Sequence, residues 1–136
     1  MITALHALLY SEDPPTTRAF LRDVLGWPFL ENPESGPGWL IFRSGPSELG
    51  VHPSSWTYEG ETTTLPTHHE ISLICDDLAA TMEELSAKGA EFSGEPVDYG
   101  YGLMINLRIP AAGEVQLYQP SYWPSYDLPE RRERSN

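Results

Sequence analysis

The spacing of apolar residues changes period twice along this chain, in the same order each time. In His69-Glu70-Ile71-Ser72-Leu73-Ile74-Cys75 the side chains of a strand would alternate, with Glu70, Ser72 and Ile74 on one face. Leu78, Met82 and Leu85 then recur at intervals of four and three, which predicts a helix over 78–88. Asp77 stands where a carboxylate can accept from the unpaired amides of the first turn, and Gly89 where a helix end needs a left-handed residue. The same string occurs upstream. Residues 2–10 read as a strand ending near a capping Asp13, and Pro14-Pro15 suit the start of a helix over 14–25. Phe20, Leu21, Val24 and Leu25 form its apolar face and Gly26 ends it. A shift of 64 carries His6 onto Glu70, Asp13 onto Asp77 and Leu21 onto Leu85, the signature of an internal repeat.

The remaining strands keep that symmetry. Residues 38–43 predict a strand, Ser44-Gly45-Pro46 a turn, and Glu48-Leu49-Gly50-Val51-His52 a further strand with Glu48, Gly50 and His52 on one face. In the second half, strands are predicted over 90–93, 103–109 and 114–119, with a tyrosine- and glycine-rich loop at 98–102 and a turn at 110–113. Glu48-Leu49-Gly50-Val51-His52 matches Glu114-Val115-Gln116-Leu117-Tyr118 at a shift of 66. The expected organisation is one domain over 1–123. Its first module spans 1–53, a linker or flap of little periodicity 54–67, and a second module 68–120, with an arm from Ser121. Residues 124–136 read as an extended or disordered tail.

Charge narrows the partners. The net charge is −12, and of the eight basic residues three, Arg131, Arg132 and Arg134, fall in the tail. An acidic body repels phosphate backbones, which argues against nucleic acid, and favours cationic small molecules or plain solubility. No apolar run is long enough to span a membrane. Cys75 is the single cysteine, so no intrachain disulfide forms; this agrees with a cytoplasmic setting, and the strand position suits a small buried thiol better than a nucleophile.

With the Asp-capped helix ending in Val24-Leu25-Gly26-Trp27, the half beginning at Glu70, and Ile109-Pro110 through Gly113 to Leu117-Tyr118, the chain resembles the vicinal oxygen chelate superfamily. This is the glyoxalase, bleomycin-resistance and extradiol-dioxygenase group, and the likeness covers about residues 3–120. It implies an α+β fold with two tandem βαβββ modules, whose curled mixed sheets enclose a cleft, and a homodimer. In metal-dependent members the ligands come from the first and last strands of each module. By position those are His6, Gly50, Glu70 and Gln116, of which Gly50 has no side chain to offer. Glu48 or His52 stands beside Gly50 on the same face, and Glu114 or Tyr118 beside Gln116.

Two functions follow from the resemblance. One is a binding protein of the bleomycin-resistance type that holds an aromatic or cationic metabolite in its cleft without metal. Trp39, His52, Trp56, Tyr101 and Tyr118 are its candidate ligand-binding residues, drawn from an aromatic supply that also includes Tyr58, Tyr99, Tyr122 and Trp123. The alternative is a lyase, isomerase or dioxygenase dependent on one divalent ion, Ni, Fe, Mn or Zn, held by His6, Glu70 and Gln116 with His52 or Glu48 in reserve. There the metal polarises neighbouring substrate oxygens, and Glu70 is the catalytic proton acceptor as well as a ligand. The gap at Gly50 favours the binding protein.

Overall fold

A computed structural model describes Met1 and residues 4–128. Helix α1 (Pro14–Asp23) precedes two hairpins, β1 (Phe29–Glu31) with β2 (Leu40–Phe42) and β3 (Ser55–Tyr58) with β4 (Glu61–Thr64). Strand β5 (Ser72–Ile74), helix α2 (Leu78–Ala87), β6 (Phe92–Asp98), β7 (Gly102–Arg108) and β8 (Glu114–Pro120) complete the order. Among the described residues no helix is long and apolar enough to cross a membrane.

Both helices start as their aspartates predict. Asp13 accepts from the Thr16 amide at 3.3 Å and Asp77 from the Ala80 amide at 2.9 Å, so each satisfies one otherwise orphaned donor. Such a cap contributes about 1 kcal/mol. The α2 start has a second acceptor that the repeat does not reveal: the Gln119 side chain takes the Leu78 amide at 2.7 Å, tying the helix to β8. Gly26 and Gly89, with φ of +70° and +92°, turn the chain out of the helices.

The second module is a complete βαβββ unit. Its four-stranded sheet has the order β5-β8-β7-β6, with β5 parallel to β8 and the other pairs antiparallel. Alternation along β7 sends Leu103, Ile105 and Leu107 to the helix side and leaves Asn106 and Arg108 exposed on the other. Val115 and Leu117 of β8 join them, and Phe20, Leu21, Leu78 and Leu85 close the core from the helices. Leu107 is fully buried, worth roughly 1.5–3 kcal/mol by transfer from water. Helix α1 docks on the β7–β8 turn, where the Thr17 hydroxyl donates to the Pro110 carbonyl at 2.6 Å and the Glu12 amide to Ala111 at 2.9 Å.

The first half departs from the expected symmetry. Residues 4–10, expected as a strand, join no ladder and are exposed, and so is the segment 48–52 apart from half-buried Glu48. A strand needs a partner for its amides and carbonyls, and an apolar pattern records a preference without supplying that partner. Residues 54–67, expected as an aperiodic connection, instead hold the β3–β4 hairpin. Its Trp56↔Thr63 and Thr57↔Thr62 pairs are reinforced by hydroxyl contacts at Thr57–Thr62 (2.8 Å) and Ser55–Thr64 (2.9 Å). Strand β6 runs past the predicted end at Ser93, through Pro96 to Asp98. It lies at the sheet edge, where a proline's missing amide costs no ladder bond, and its register shifts between Ser93 and Val97. Of the expected tail, Ser125–Asp127 form a 3-10 turn; residues 129–136, with the three terminal arginines, lie outside the described residues.

Candidate functional site

The sheet face opposite the helices carries the polar and aromatic residues. Register aligns them in rows: Ser72, Gln116, Asn106 and Ser93 form one, and Ile74, Tyr118, Met104 and Val97 the next. Ser72 donates to the Gln116 side-chain amide oxygen at 3.1 Å, and Ser93 donates to the Glu114 carboxylate. Two open depressions of about 420 and 350 Å³ lie on this face and share Asn106 and Gln116. Leu9, His69, Glu70 and Glu114 flank the larger, and Glu95, Val97, Tyr99 and Met104 the smaller. The rim is acidic, and Arg108 is already paired to Glu91 at 3.1 Å.

At the upper end of the face four tyrosine rings follow one another. Tyr99 stacks with Tyr101 at 5.9 Å between centroids, Tyr101 meets Tyr118 edge-on at 6.3 Å, and Tyr118 meets Tyr122 at 6.2 Å. Tyr118 is buried, and its hydroxyl donates to the Tyr101 carbonyl at 3.2 Å. Gly102 makes this arrangement sterically feasible: a Cβ there would overlap the Tyr118 ring and lie 2.7 Å from the Gln119 carbonyl oxygen. The Tyr122 hydroxyl donates to Glu48 at 2.6 Å, and that hydrogen bond is the main cause holding its phenol well above the usual range. Burial raises the Tyr101 phenol, with smaller contributions from Tyr118, Tyr99 and the charge of Glu70.

The residues singled out from sequence fall into several groups. Glu70 and Gln116 both line the larger depression, and Tyr101 and Tyr118 touch. His52 and Trp56 contact one another at 4.8 Å, with the His52 Nδ1 2.7 Å from the Pro53 carbonyl oxygen. Trp39 carries the Arg18 guanidinium 4.9 Å above its ring. His6 is exposed on the segment that joins no ladder. Glu48 is held by Tyr122 and Ser125. The arrangement therefore does not gather His6, Glu70 and Gln116 with His52 or Glu48, and no group of three or more His, Cys, Asp or Glu that could hold a metal ion occurs among the described residues. Cys75 is half-buried, and burial pushes its thiol up, against use as a nucleophile. Sequence reasoning missed Asn106, Ser93 and Gly102. The period of two along β7 was the signal that places Asn106 on this face.

An α+β chain with a βαβββ sheet, whose polar outer face is flanked by helices on the other side, defines the vicinal oxygen chelate class. The Glyoxalase/Bleomycin resistance protein/Dioxygenase superfamily profile matches residues 3–110, and the chain belongs to that family. No curated protein matches it. Among solved structures, it is similar to a member of the same superfamily from Sphaerobacter thermophilus DSM 20745, with 17% identity, 87% of this chain and 98% of that one covered, and a TM-score of 0.56. TnmS3, an antibiotic binding protein from Streptomyces sp. CB03234, shares 18% identity over 89% of this chain and 100% of its own, with a TM-score of 0.52. Lactoylglutathione lyase from Agrobacterium tumefaciens shares 16% over 82% and 88%, with a TM-score of 0.52. At these identities the likeness is one of fold.

Proposed function

We propose that this protein is a metal-independent small-molecule-binding member of the family, which holds an aromatic or cationic metabolite against the outer sheet face. The observation that carries the reading is the Tyr101–Tyr118 contact beside the polar row of Gln116 and Asn106. Ring faces supply stacking area, and amide groups supply hydrogen bonds that orient the ligand. TnmS3, described as an antibiotic binding protein, provides a precedent for binding on the same fold. The metal-dependent alternative requires His6 to leave its exposed segment and join Glu70 and Gln116.

A second copy of the chain completes the cleft in this reading. Leu5, Leu8 and Leu9 are 62%, 54% and 36% exposed on a segment without a ladder partner, and apolar area of this kind is stabilised when covered. An unpaired Cys75 fits a reducing cytoplasm.

The test is tryptophan emission titrated with a chemically varied panel of aromatic and cationic compounds at low ionic strength. Saturable quenching that is reduced in Trp123→Phe, the exposed tryptophan next to Tyr122, is the expected result. Emission unchanged across the panel would overturn the reading.

A further inference from the structure

We propose that Asn106 and Gln116 form a paired-donor site for the carbonyl oxygen of an uncharged aromatic ligand, whose ring lies on Met104 and Val97, with Ser72 as the residue that orients Gln116. This rests on the small-molecule-binding reading above and names the ligand class for that face.

The pairing follows from the ladder. The Ile109 amide donates to the Gly113 carbonyl at 2.8 Å and the Arg108 amide to the Glu91 carbonyl at 2.9 Å, so odd positions along β7 turn their backbone groups to β8 and even positions to β6. Asn106 and Gln116 therefore stand opposite one another with no backbone hydrogen bond between them. That arrangement brings the side chains of antiparallel neighbours closest, with Cα atoms about 4.5 Å apart. The Ser72 hydroxyl engages the oxygen end of the half-buried Gln116 amide at 3.1 Å. The nitrogen end, with two N–H donors, has no hydrogen-bond partner among the described residues, and the exposed Asn106 side chain has none at either end. Two neighbouring side chains thus offer N–H groups, and one of them is held in that orientation by a third.

Apolar surface and donors line the same depression. Asn106, Gln116, Met104, Val97 and Tyr99 all border the smaller one, about 350 Å³, a size that suits a small organic ligand. Strand β6 opens it: Gly94, with φ of +72°, begins the stretch 94–96 that opposes the single Ile105, and a bulged strand bends. Met104 follows Asn106 by one step of two on the same face and pairs with Val97, so an oxygen held by the amides lays its ring on that row. Amide donors by themselves accept a carboxylate as readily as a carbonyl, and the rim decides between them. Glu70, Glu95 and Glu114 border the two depressions, His69 is the single base among their lining residues, and neither is lined by lysine or arginine. An anionic ligand meets like charge there, and an uncharged carbonyl does not.

Three probes of one shape separate these effects. They are 2-acetylnaphthalene, 2-isopropenylnaphthalene, in which a methylene replaces the carbonyl oxygen, and 2-naphthoate, in which an anionic oxygen replaces the methyl group. Each is titrated into the full ¹⁵N-labelled chain and followed through the side-chain amide signals. The expected result is saturable movement of the Gln116 and Asn106 NH2 signals by the ketone, with at least about fivefold tighter binding than either other probe, the ratio that one net hydrogen bond supplies. Gln116→Leu and Asn106→Leu should each reduce the preference for the ketone over the isopropenyl compound, and Asn106 is exposed, so its replacement leaves the core untouched. Ser72→Ala keeps both donor residues yet should also lower that preference, because the Gln116 amide is then free to turn; a merely structural serine would not move it. Binding of the isopropenyl compound or of naphthoate as tight as the ketone's, a preference unchanged in both leucine variants, or binding of no probe would overturn the inference and leave the broader reading standing. An unchanged preference in Ser72→Ala would overturn the part given to Ser72. The broader reading falls separately, only when the varied panel leaves tryptophan emission unchanged.

Discussion

Glu48 accepts the Tyr122 hydroxyl at 2.6 Å and so joins two points 74 residues apart, one in the first module and one in the arm that follows the second. The Ser125 amide donates to the same carboxylate at 3.2 Å, which makes Glu48 the anchor of the C-terminal arm. The arm in turn lays Tyr122 against Tyr118 and positions one end of the tyrosine run.

This latch has a pH signature. The folded phenol of Tyr122 is raised above its unfolded value, so the protonated form is favoured in the folded state. Its contribution is intact below the ordinary tyrosine value of about 10 and is lost as pH climbs through the folded value. Glu48→Gln removes the main cause of the shift. Phenolate absorbance during alkaline titration is therefore expected to show Tyr122 ionising earlier in Glu48→Gln than in the parent chain, and a much smaller difference between Glu48→Gln,Tyr122→Phe and Tyr122→Phe, left by the weaker effect of Glu48 on Tyr126. Superimposable titrations of the parent and Glu48→Gln chains would show that the latch does not persist in solution.

Gly102 is expected to be intolerant of even one methyl group. Gly102→Ala sets a Cβ against the Tyr118 ring and the Gln119 carbonyl, and Gln119 also caps α2. Crowding of this kind costs roughly 1–3 kcal/mol, read as a lower midpoint in urea unfolding at constant slope. Near-ultraviolet circular dichroism should also change, as Tyr118 is displaced. A midpoint equal to the parent's would mean that the strand ends relax freely.

The second-copy proposal predicts a dimer in sedimentation equilibrium. Leu5→Asp and Leu8→Asp together place charge on the exposed segment and should raise the dimer dissociation constant by tenfold or more. Helical content should be unchanged, because α1 and the core residues Phe20 and Leu21 lie beyond that segment. A parent chain that sediments as a monomer at every concentration would remove the proposal.

Metal content separates the two functional alternatives. Tag-free protein purified without chelators is expected to hold well under one divalent transition ion per chain by elemental mass spectrometry, and His6→Ala should leave that value unchanged. Near one ion per chain, falling in His6→Ala and in Glu70→Gln, would bring His6 to the sheet face and put the lyase, isomerase or dioxygenase ahead.

What the sequence determined by itself is local. Asp13 and Asp77 cap, Gly26 and Gly89 terminate, and the three-and-four spacing of Leu78, Met82 and Leu85 marks a buried stripe, because each depends on neighbours within a turn or two. Alternation likewise placed Ser72 and Gln116 on one face of neighbouring strands, although β5 is shorter than the strand expected over 69–75 and leaves Glu70 just before it, and the repeat pointed to the family. Tertiary structure decided the rest. Whether residues 4–10 and 48–52 pair with anything depends on partners distant in the chain, and no period encodes a partner. The β3–β4 hairpin rests on cross-strand threonine pairs that look aperiodic in one dimension. The binding face was legible only in fragments: Tyr101 and Tyr118 were named, but Asn106, Ser93 and the space left by Gly102 became visible only once β6, β7 and β8 stood in register. His6, His52 and Glu48 share a plausible ligand spacing with Glu70, yet spacing along strands brings side chains together only where those strands share a sheet, and here the first module's outer segments do not.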